Sequence, residues 1–202
     1  RLETSNRELK DTAGRDSLTR AYTLEYFISQ AQELMKQQTE LNYALFYVDF
    51  SDFKYINDVF GYARGDDMLR QYAALLIEDK KAYELVGRIN ADNFIILRHY
   101  ENRTELTKRQ SAVDARIREY MRSHLEKQSL SICCGICCME DVDEKLSLHE
   151  LLNRANFARK MVKDGHELNN YCFYDESIRQ HLLEEKSIES GKIGRASCRE
   201  RV

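Results

Sequence analysis

The apolar residues of this chain follow two patterns, one typical of strands and the other of helices. Apolar runs of strand length predict strands at 44–50, 83–89, 94–98, 130–138 and 171–174. Apolar residues spaced three and four apart predict helices at 23–38, from Asp66 or Asp67 through Leu76, and at 104–127, 146–163 and 176–189. A hairpin combined with crossover helices predicts an α+β fold with a central mixed β-sheet flanked by helices, and it argues against a doubly wound parallel sheet.

Composition restricts the class of protein. The chain has 202 residues, 43% apolar and 32% charged, which is typical of one soluble globular domain. A formal net charge of −3 gives no electrostatic reason to expect nucleic acid as a partner. No apolar run approaches the roughly 18 residues of a membrane span. We therefore expect a cytoplasmic location and no membrane contact by this segment, although the parent protein could be tethered through a preceding part.

Four of the six cysteines form the run CCGICC at 133–138. Alternation in a strand sends neighbouring side chains to opposite faces of the sheet. Disulfides and a metal cluster are alternatives, but zinc sites usually pair CxxC with a second, distant ligand pair. Buried free thiols in a reducing cytosol are the expected state.

The ends of the chain differ from its middle. Residues 1–15 carry Leu2 and Leu9 one heptad apart, which predicts a helical linker or the end of a coiled coil. Residues 176–192 predict a second helical linker, toward a further domain. The chain begins with Arg1 and ends in IGRASCRERV at 193–202, so we expect a fragment whose last ten residues are a sequencing-adapter artefact.

The segment DFSDFKYINDVFGYARGD at 49–66 carries the candidate chemistry. An acid at the end of an apolar strand, Asp49, is a common ligand of a hard divalent cation, although turn residues occur there equally often. Asn57 and Asp66 together offer a donor and acceptors for a purine edge, and the alternative is an ordinary cap or turn role. The pattern favours a nucleotide site on an α/β scaffold.

This segment resembles the GGDEF domain of diguanylate cyclases, which join two GTP into cyclic di-GMP. DFSDFKYINDVFGYARGD is similar to the family pattern DxDxFKxxNDxxGHxxGD, with Ser51 for the second Asp and Tyr62 for His. DSLTRAYTLEYF, from Asp16 onward, is similar to DxLTxLxNRxxF, and the resemblance continues to about Tyr174. It implies the palm-like fold of nucleotide cyclases and polymerases for residues 16–175.

The resemblance also implies a metal site that holds Mg²⁺ or Mn²⁺. Asp49 matches the first metal-binding acid, and the carbonyl of Phe50 should face the same cation. Asp92 matches the second acid and would serve metal binding and catalysis. Lys54 lies where the triphosphate of GTP runs and is the second candidate catalytic residue.

Three further residues match the substrate-binding positions of the family. Asn57 and Asp66 match the pair that recognises guanine. Lys163 aligns with a lysine that binds phosphate, and the pattern alone would make it a solvated charge at a helix end. The arginine expected four positions later is replaced by Glu167, whose carboxylate would repel phosphate unless the spacing around Gly165 moves it away.

The signature GG[DE]EF is the main departure from the family, since residues 90–94 read NADNF. Glycine in such a turn permits positive φ and close approach of a ligand. Ala91 tolerates positive φ poorly, and its methyl occupies space where substrate must lie. Asn93 removes one negative charge near the metal. We therefore expect a degenerate domain with weak or no cyclase activity.

Two regulatory features follow from the same resemblance. The inhibitory product-binding motif RxxD falls on Lys81 and Glu84, which we interpret as a solvated hairpin rim, so that product feedback there is not expected. The exit segment FYDESIRQHLLEEKSIES, from Phe173, is similar to linkers that join a degenerate GGDEF domain to an EAL phosphodiesterase domain. The main hypothesis is a GTP-binding regulatory module for such a domain in cis. The alternatives are an active cyclase that works as a homodimer and a purely structural dimerisation module.

Overall fold

The computed structural model describes residues 11–124, 131–142, 146–163, 170–181 and 184. Six strands form one sheet in the order β1-β3-β4-β2-β5-β6. The strands are β1 (Tyr22–Thr23), β2 (Tyr43–Phe50), β3 (Leu85–Asn90), β4 (Asn93–His99), β5 (Ile132–Cys138) and β6 (Tyr171–Phe173). The helices are α1 (Leu24–Gln37), α2 (Phe53–Phe60), α3 (Tyr62–Asp79), α4 (Arg103–His124) and α5 (Leu148–Lys163).

The sheet is mixed, with β2 at its centre. β2 pairs antiparallel with β4 and β5, and β3 pairs antiparallel with β4 in the hairpin. The outer strands β1 and β6 join in parallel. The predicted α+β fold with a central mixed sheet, flanking helices and a hairpin is confirmed.

The core lies on both faces of the sheet, and β2 and β5 are therefore buried along their whole length. Even-numbered residues of β2 such as Phe46 and Val48 pack with α3 and α4, whereas Leu45 and Tyr47 pack with α1 and α5. The cysteines of β5 follow the same alternation: Cys134 belongs to the first layer and Cys133 to the second. These thiols are free and buried, as expected.

Two details of the predicted elements were wrong. The helix assigned to begin at Asp66 or Asp67 begins at Tyr62, after Gly61 at the N-cap position. Gly61 also ends α2 with φ of +85°, a backbone conformation that glycine adopts at little cost. The helix α2 and the short strand β1 were not predicted at all. Thr23 does stand at the N-cap of α1, although its side chain makes no capping hydrogen bond.

Several predicted segments fall partly or wholly outside the described residues. These are the linker segments 1–10 and 185–192, the tail 193–202, the end of the long helix at 125–127, and residues 164–169 with Gly165 and Glu167. Among the helices that the structure describes, none combines the length and apolar character needed to cross a lipid bilayer.

Candidate functional site

Asp49 lies at the end of the central strand, where two cations of α5 hold it. It follows Tyr47 by two residues and therefore points to the sheet face that α5 covers. Its Oδ2 accepts hydrogen bonds from Nη1 of Arg159 at 2.5 Å and from Nζ of Lys163 at 2.7 Å. Asp49 is only 5% exposed. A buried carboxylate requires such compensation, and the two cations supply it.

The hairpin turn of Ala91 and Asp92 joins β3 to β4 beside the end of β2. The residue pair Val48–Phe94 links β2 to β4 just beyond this turn, and it brings Asp92 close to Asp49. Burial first, and then the negative charge of Asp49, raise the pKa of the Asp92 carboxyl. Two carboxyl groups placed this close together form a place where a cation is stabilised.

A hard divalent cation prefers oxygen ligands such as carboxylates and carbonyls. Mg²⁺ is usually held by one or two carboxylates together with phosphate oxygens and water. Asp49, Asp92 and Phe50 line one cleft, and the first two carry carboxylates. Within the described part of the chain, no group of three or more His, Cys, Asp or Glu could hold a metal by itself. A metal here would therefore take its other ligands from nucleotide and water.

Ala91 occupies the glycine position of the turn in a conformation that glycine would favour. Its φ is +35°, a left-handed value that costs an alanine about 1–3 kcal/mol. Nε and Nη2 of Arg88 donate to its carbonyl at 3.0 and 2.6 Å. Nη1 of Arg88 donates to Oδ1 of Asp16 at 2.8 Å, and that carboxylate also accepts from the Thr19 hydroxyl at 2.6 Å. Arg88 thus ties the strained turn to the loop before β1.

Asn57 and Asp66 come together because of a glycine on α3. A Cβ on Gly65 would stand 2.0 Å from Oδ1 of Asn57, so only glycine leaves room for this amide. The side chain of Asn57, on α2, therefore packs against the backbone directly before Asp66. Both residues are partly buried, and both line the cleft. An amide and a carboxylate side by side can read both donors and acceptors of a purine edge.

The predicted residues line one cleft of about 630 Å³. A volume of this size is typical of sites for small ligands. Lys54 lies exposed on its α2 side, and Ala91 stands at its hairpin side. The predicted site residues on its wall are Asp49, Phe50, Lys54, Asn57, Asp66, Asp92 and Lys163. These seven residues lie on β2, α2, α3, α5 and the hairpin turn, and the fold brings them to a single concave surface.

Two arginines at the site were missed by sequence reasoning. Arg159 precedes Lys163 by four residues, so both lie on one face of α5. This spacing was visible in the sequence, but the register of α5 against β2 was not. Arg88 precedes the turn in β3, and its distant partner Asp16 gave no local signal.

The interpretation of Lys81 and Glu84 as a solvated hairpin rim was wrong for Glu84. The residue is 1% exposed, and its carboxylate accepts two hydrogen bonds from Arg109 at 2.7 and 2.8 Å. It also accepts one from the backbone N–H of Lys81 at 2.9 Å. Lys81 itself is exposed and pairs with Glu105. The Glu84 carboxylate therefore stabilises the fold, because it pairs with Arg109 of α4, 25 residues away in the sequence.

A family model described as "Diguanylate cyclase, GGDEF domain" matches residues 13–168, which is most of the chain. The chain belongs to the GGDEF family. As a member of it, the chain is a domain of cyclic di-GMP signalling, and the cleft lies within the matched range. The hairpin residues NADNF at 90–94 lie in the same range.

Similar proteins place this GGDEF domain among multidomain relatives. The bifunctional diguanylate cyclase/cyclic di-GMP phosphodiesterase MucR of Pseudomonas aeruginosa is 24% identical over 189 residues, which cover 93% of this chain and 27% of MucR. The chain thus spans about a quarter of that protein's length. The probable diguanylate cyclase DgcE of Escherichia coli is 31% identical over 45% of this chain and 8% of its own length.

A solved structure shows the same fold. The coiled coil and GGDEF domain of DgcB from Caulobacter crescentus, in complex with cyclic di-GMP, superposes with a TM-score of 0.68 at 18% identity. The superposition covers 85% of this chain and 91% of that chain. At such low identity, the likeness shows the architecture alone.

Proposed function

We propose that this GGDEF domain binds GTP with Mg²⁺ or Mn²⁺, has weak or no cyclase activity, and regulates a neighbouring domain in cyclic di-GMP signalling. The observation that carries the proposal is the combination of a cleft lined by all seven predicted site residues with an alanine strained at φ of +35° on its hairpin side. The cleft supports binding. The turn argues against efficient turnover.

Nucleotide binding is supported by how the polar groups are distributed around the cleft. Asn57 and Asp66, packed together through Gly65, would read the guanine edge. Lys54 and Lys163 would bind the phosphates, and Asp49 with Asp92 would hold the cation. A bound Mg²⁺ would neutralise charge on the phosphoryl group that reacts. The chain's own residues would orient the base and attract the triphosphate.

Weak turnover is supported by two changes at the turn. Phosphodiester formation needs the attacking 3′-hydroxyl aligned with the α-phosphate of the other nucleotide, and a misplacement of about 1 Å can cost roughly 100-fold in rate. The Ala91 methyl adds a group where the family pattern has bare backbone. Asn93 donates from Nδ2 to Oδ1 of Asn90 at 2.8 Å, so an amide bridge closes the turn where the family has a carboxylate.

The neighbouring domain in this proposal is an EAL phosphodiesterase in cis. Residues 16–175 would form the nucleotide-binding unit, and 1–15 and 176–192 would be linkers on either side. Because β6 leads directly into the exit segment, a nucleotide-dependent shift of this unit would bias the neighbour. MucR, with its two opposed activities, supports such an arrangement. GTP is a cytoplasmic nucleotide, so the proposal includes a cytoplasmic location.

An active diguanylate cyclase is the second candidate. It is favoured by the retention of both acids, Asp49 and Asp92, beside Lys54 in one cleft. Two domains would then meet as a homodimer, and each would bring one GTP.

The test combines calorimetry with product analysis. We expect GTP with Mg²⁺ to bind the wild-type protein, and Asn57→Ala to weaken binding at least tenfold because the partly buried amide would read the base. Asn153→Ala is the matched control, since Asn153 is exposed on α5 and does not line the cleft. Absence of GTP binding by the wild type would refute the proposal.

Product analysis separates the two candidates. The variant Asn90→Gly/Ala91→Gly/Asn93→Glu restores the signature turn, and we expect it to make at least tenfold more cyclic di-GMP than the wild type. A wild-type rate equal to that of the restored variant, abolished by Asp92→Ala, would instead establish an active cyclase.

A further inference from the structure

Three neighbouring side chains hold the guanidinium of Arg159 beside Asp49, the candidate metal ligand. Its Nε donates to Oδ1 of Asn156 at 2.9 Å, and Nη1 donates to Oδ2 of Asp49 at 2.5 Å. The guanidinium carbon lies 5.5 Å from the centroid of the Tyr47 ring, within cation–π range. The side chains of Arg159 and Asp49 are 11% and 7% exposed. Arg159 is thus a fixed, nearly buried cation and differs from a solvated surface arginine.

The backbone of α5 places this cation by direct contact with the sheet. A Cβ on Gly135 of β5 would stand 1.9 Å from the carbonyl oxygen of Ala155 and 2.3 Å from the backbone nitrogen of Arg159. The helix therefore rests on the bare backbone of β5. Since Gly135 pairs with Tyr47 in the sheet, the start of the Arg159 side chain lies beside the strand that carries Asp49.

The charges at this point already balance. Asp49 and Asp92 contribute two negative charges, and Arg159 and Lys163 contribute two positive ones, both directed at Oδ2 of Asp49. Two acids facing one lysine would leave a net negative charge that a divalent cation would compensate. With Arg159 present, a divalent ion must enter a neutral cluster and share or displace an anchored guanidinium.

We propose that Arg159 is a built-in cation of the nucleotide site, a positioning residue that holds Asp49 and lowers its affinity for divalent metal. The consequence is that GTP binding by this domain depends little on Mg²⁺, because the fixed guanidinium and Lys163 supply positive charge where the metal would otherwise supply it. This inference deepens the proposed GTP site and rests on it for that consequence, whereas the effect on metal affinity concerns the chain alone.

Titration calorimetry with MnCl₂ alone, without nucleotide, tests the inference. Removing the positive charge that contacts Asp49 should strengthen Mn²⁺ binding. We therefore expect Arg159→Gln to bind Mn²⁺ at least about tenfold more tightly than the wild type. Arg154→Gln is the matched control, because Arg154 lies on the same helix but stacks 5.8 Å from the Tyr174 ring centroid, away from Asp49. Its Mn²⁺ affinity should equal that of the wild type.

A second variant keeps the inference testable if Arg159→Gln does not fold, as judged by circular dichroism. Arg159→Lys retains the charge but loses the planar fork that reaches Asn156 and Asp49 together, so its Mn²⁺ affinity should rise by roughly threefold. Mn²⁺ affinity equal to the wild type in whichever of these variants folds would overturn the inference.

Titration of GTP into the wild type, once with EDTA and once with Mg²⁺, tests the consequence. We expect the two dissociation constants to agree within about threefold, and a larger difference would contradict the expected independence of GTP binding from Mg²⁺. Absence of GTP binding under both conditions would refute the proposed function. The Mn²⁺ comparison would still decide whether Arg159 lowers the metal affinity of Asp49.

Discussion

Replacement of Gly135 by alanine would test how the sheet positions the site. The added Cβ would meet the Ala155 carbonyl oxygen at 1.9 Å, whereas ordinary contact begins near 3.4 Å. The obstructing atoms belong to the α5 backbone and cannot rotate away. The helix must therefore retreat from β5 by about 1.5 Å, or the strand must bend by a similar distance.

The expected cost has two parts. Overpacking against a rigid neighbour typically costs about 1–3 kcal/mol, and breaking a buried ion pair costs roughly 3–5 kcal/mol. A shift of about 1.5 Å would lengthen the 2.5 Å contact between Arg159 and Asp49 beyond hydrogen-bonding distance. Partial relaxation will reduce the sum, so we expect Gly135→Ala to lower the free energy of unfolding by about 3 kcal/mol or more.

Urea denaturation followed by circular dichroism measures this loss, with Gly87→Ala as the matched control. Both glycines are buried within strands and neither has a positive φ. At Gly87, however, the new Cβ would meet side-chain atoms of Ile95 and Phe27 at 2.9 Å, and these can shift by a few tenths of an ångström. Alanine also lowers the conformational entropy of the unfolded chain, and this offsets about 0.5–1 kcal/mol of the destabilisation. We therefore expect Gly87→Ala to remain within about 1 kcal/mol of the wild type, and equal unfolding midpoints for the two variants would refute the argument.

Two further predictions concern buried acids away from the cleft. Glu84→Gln should lower the free energy of unfolding by about 2 kcal/mol in the same urea assay, because it removes one of the two carboxylates that pair with Arg109, the other being that of Asp79; a loss below about 1 kcal/mol would contradict this. Burial raises the pKa of Asp114 to about 6, so the folded state holds this proton more tightly than the unfolded state. The contribution of Asp114 to stability should therefore decrease by about 2–3 kcal/mol as the pH rises from 4 to 7. In Asp114→Asn this slope should be absent, and equal pH dependence of wild type and variant would exclude the assignment.

The central strands could be predicted from the sequence because their burial is nearly complete, and the long helices because each buries one face at helical spacing. β2 and β5 are buried on both faces, so their apolar runs are uninterrupted. α2 was missed because it has only eight residues, of which Phe53 and Ile56 are buried, too few to establish a period. β1 has two residues and owes its place to pairing with β3, a contact between distant parts of the chain.

The candidate site was predictable where the family pattern is local, and not where partners are distant. Asn57, Gly65 and Asp66 lie within ten positions, so their spacing in the sequence fixes their proximity in the fold. Glu84 pairs with a residue 25 positions away. Arg159 pairs with a residue 110 positions away. No rule of spacing connects such partners until the register of the sheet and helices is known.

Asn93 and Arg159 change the charge of the site in the same direction. If the family pattern is the reference, Asn93 removes a carboxylate from the turn, and Arg159 on α5 places a cation against Asp49. Each change lowers the negative charge that a divalent ion would compensate, whereas neither alters Asn57 or Asp66, which would read the base. Base recognition depends on shape and hydrogen bonding, but catalysis depends on metal charge placed at the reacting phosphate. A site altered in this way would keep its preference for the nucleotide while losing the means to activate it, and that combination favours a sensor of GTP over a cyclase.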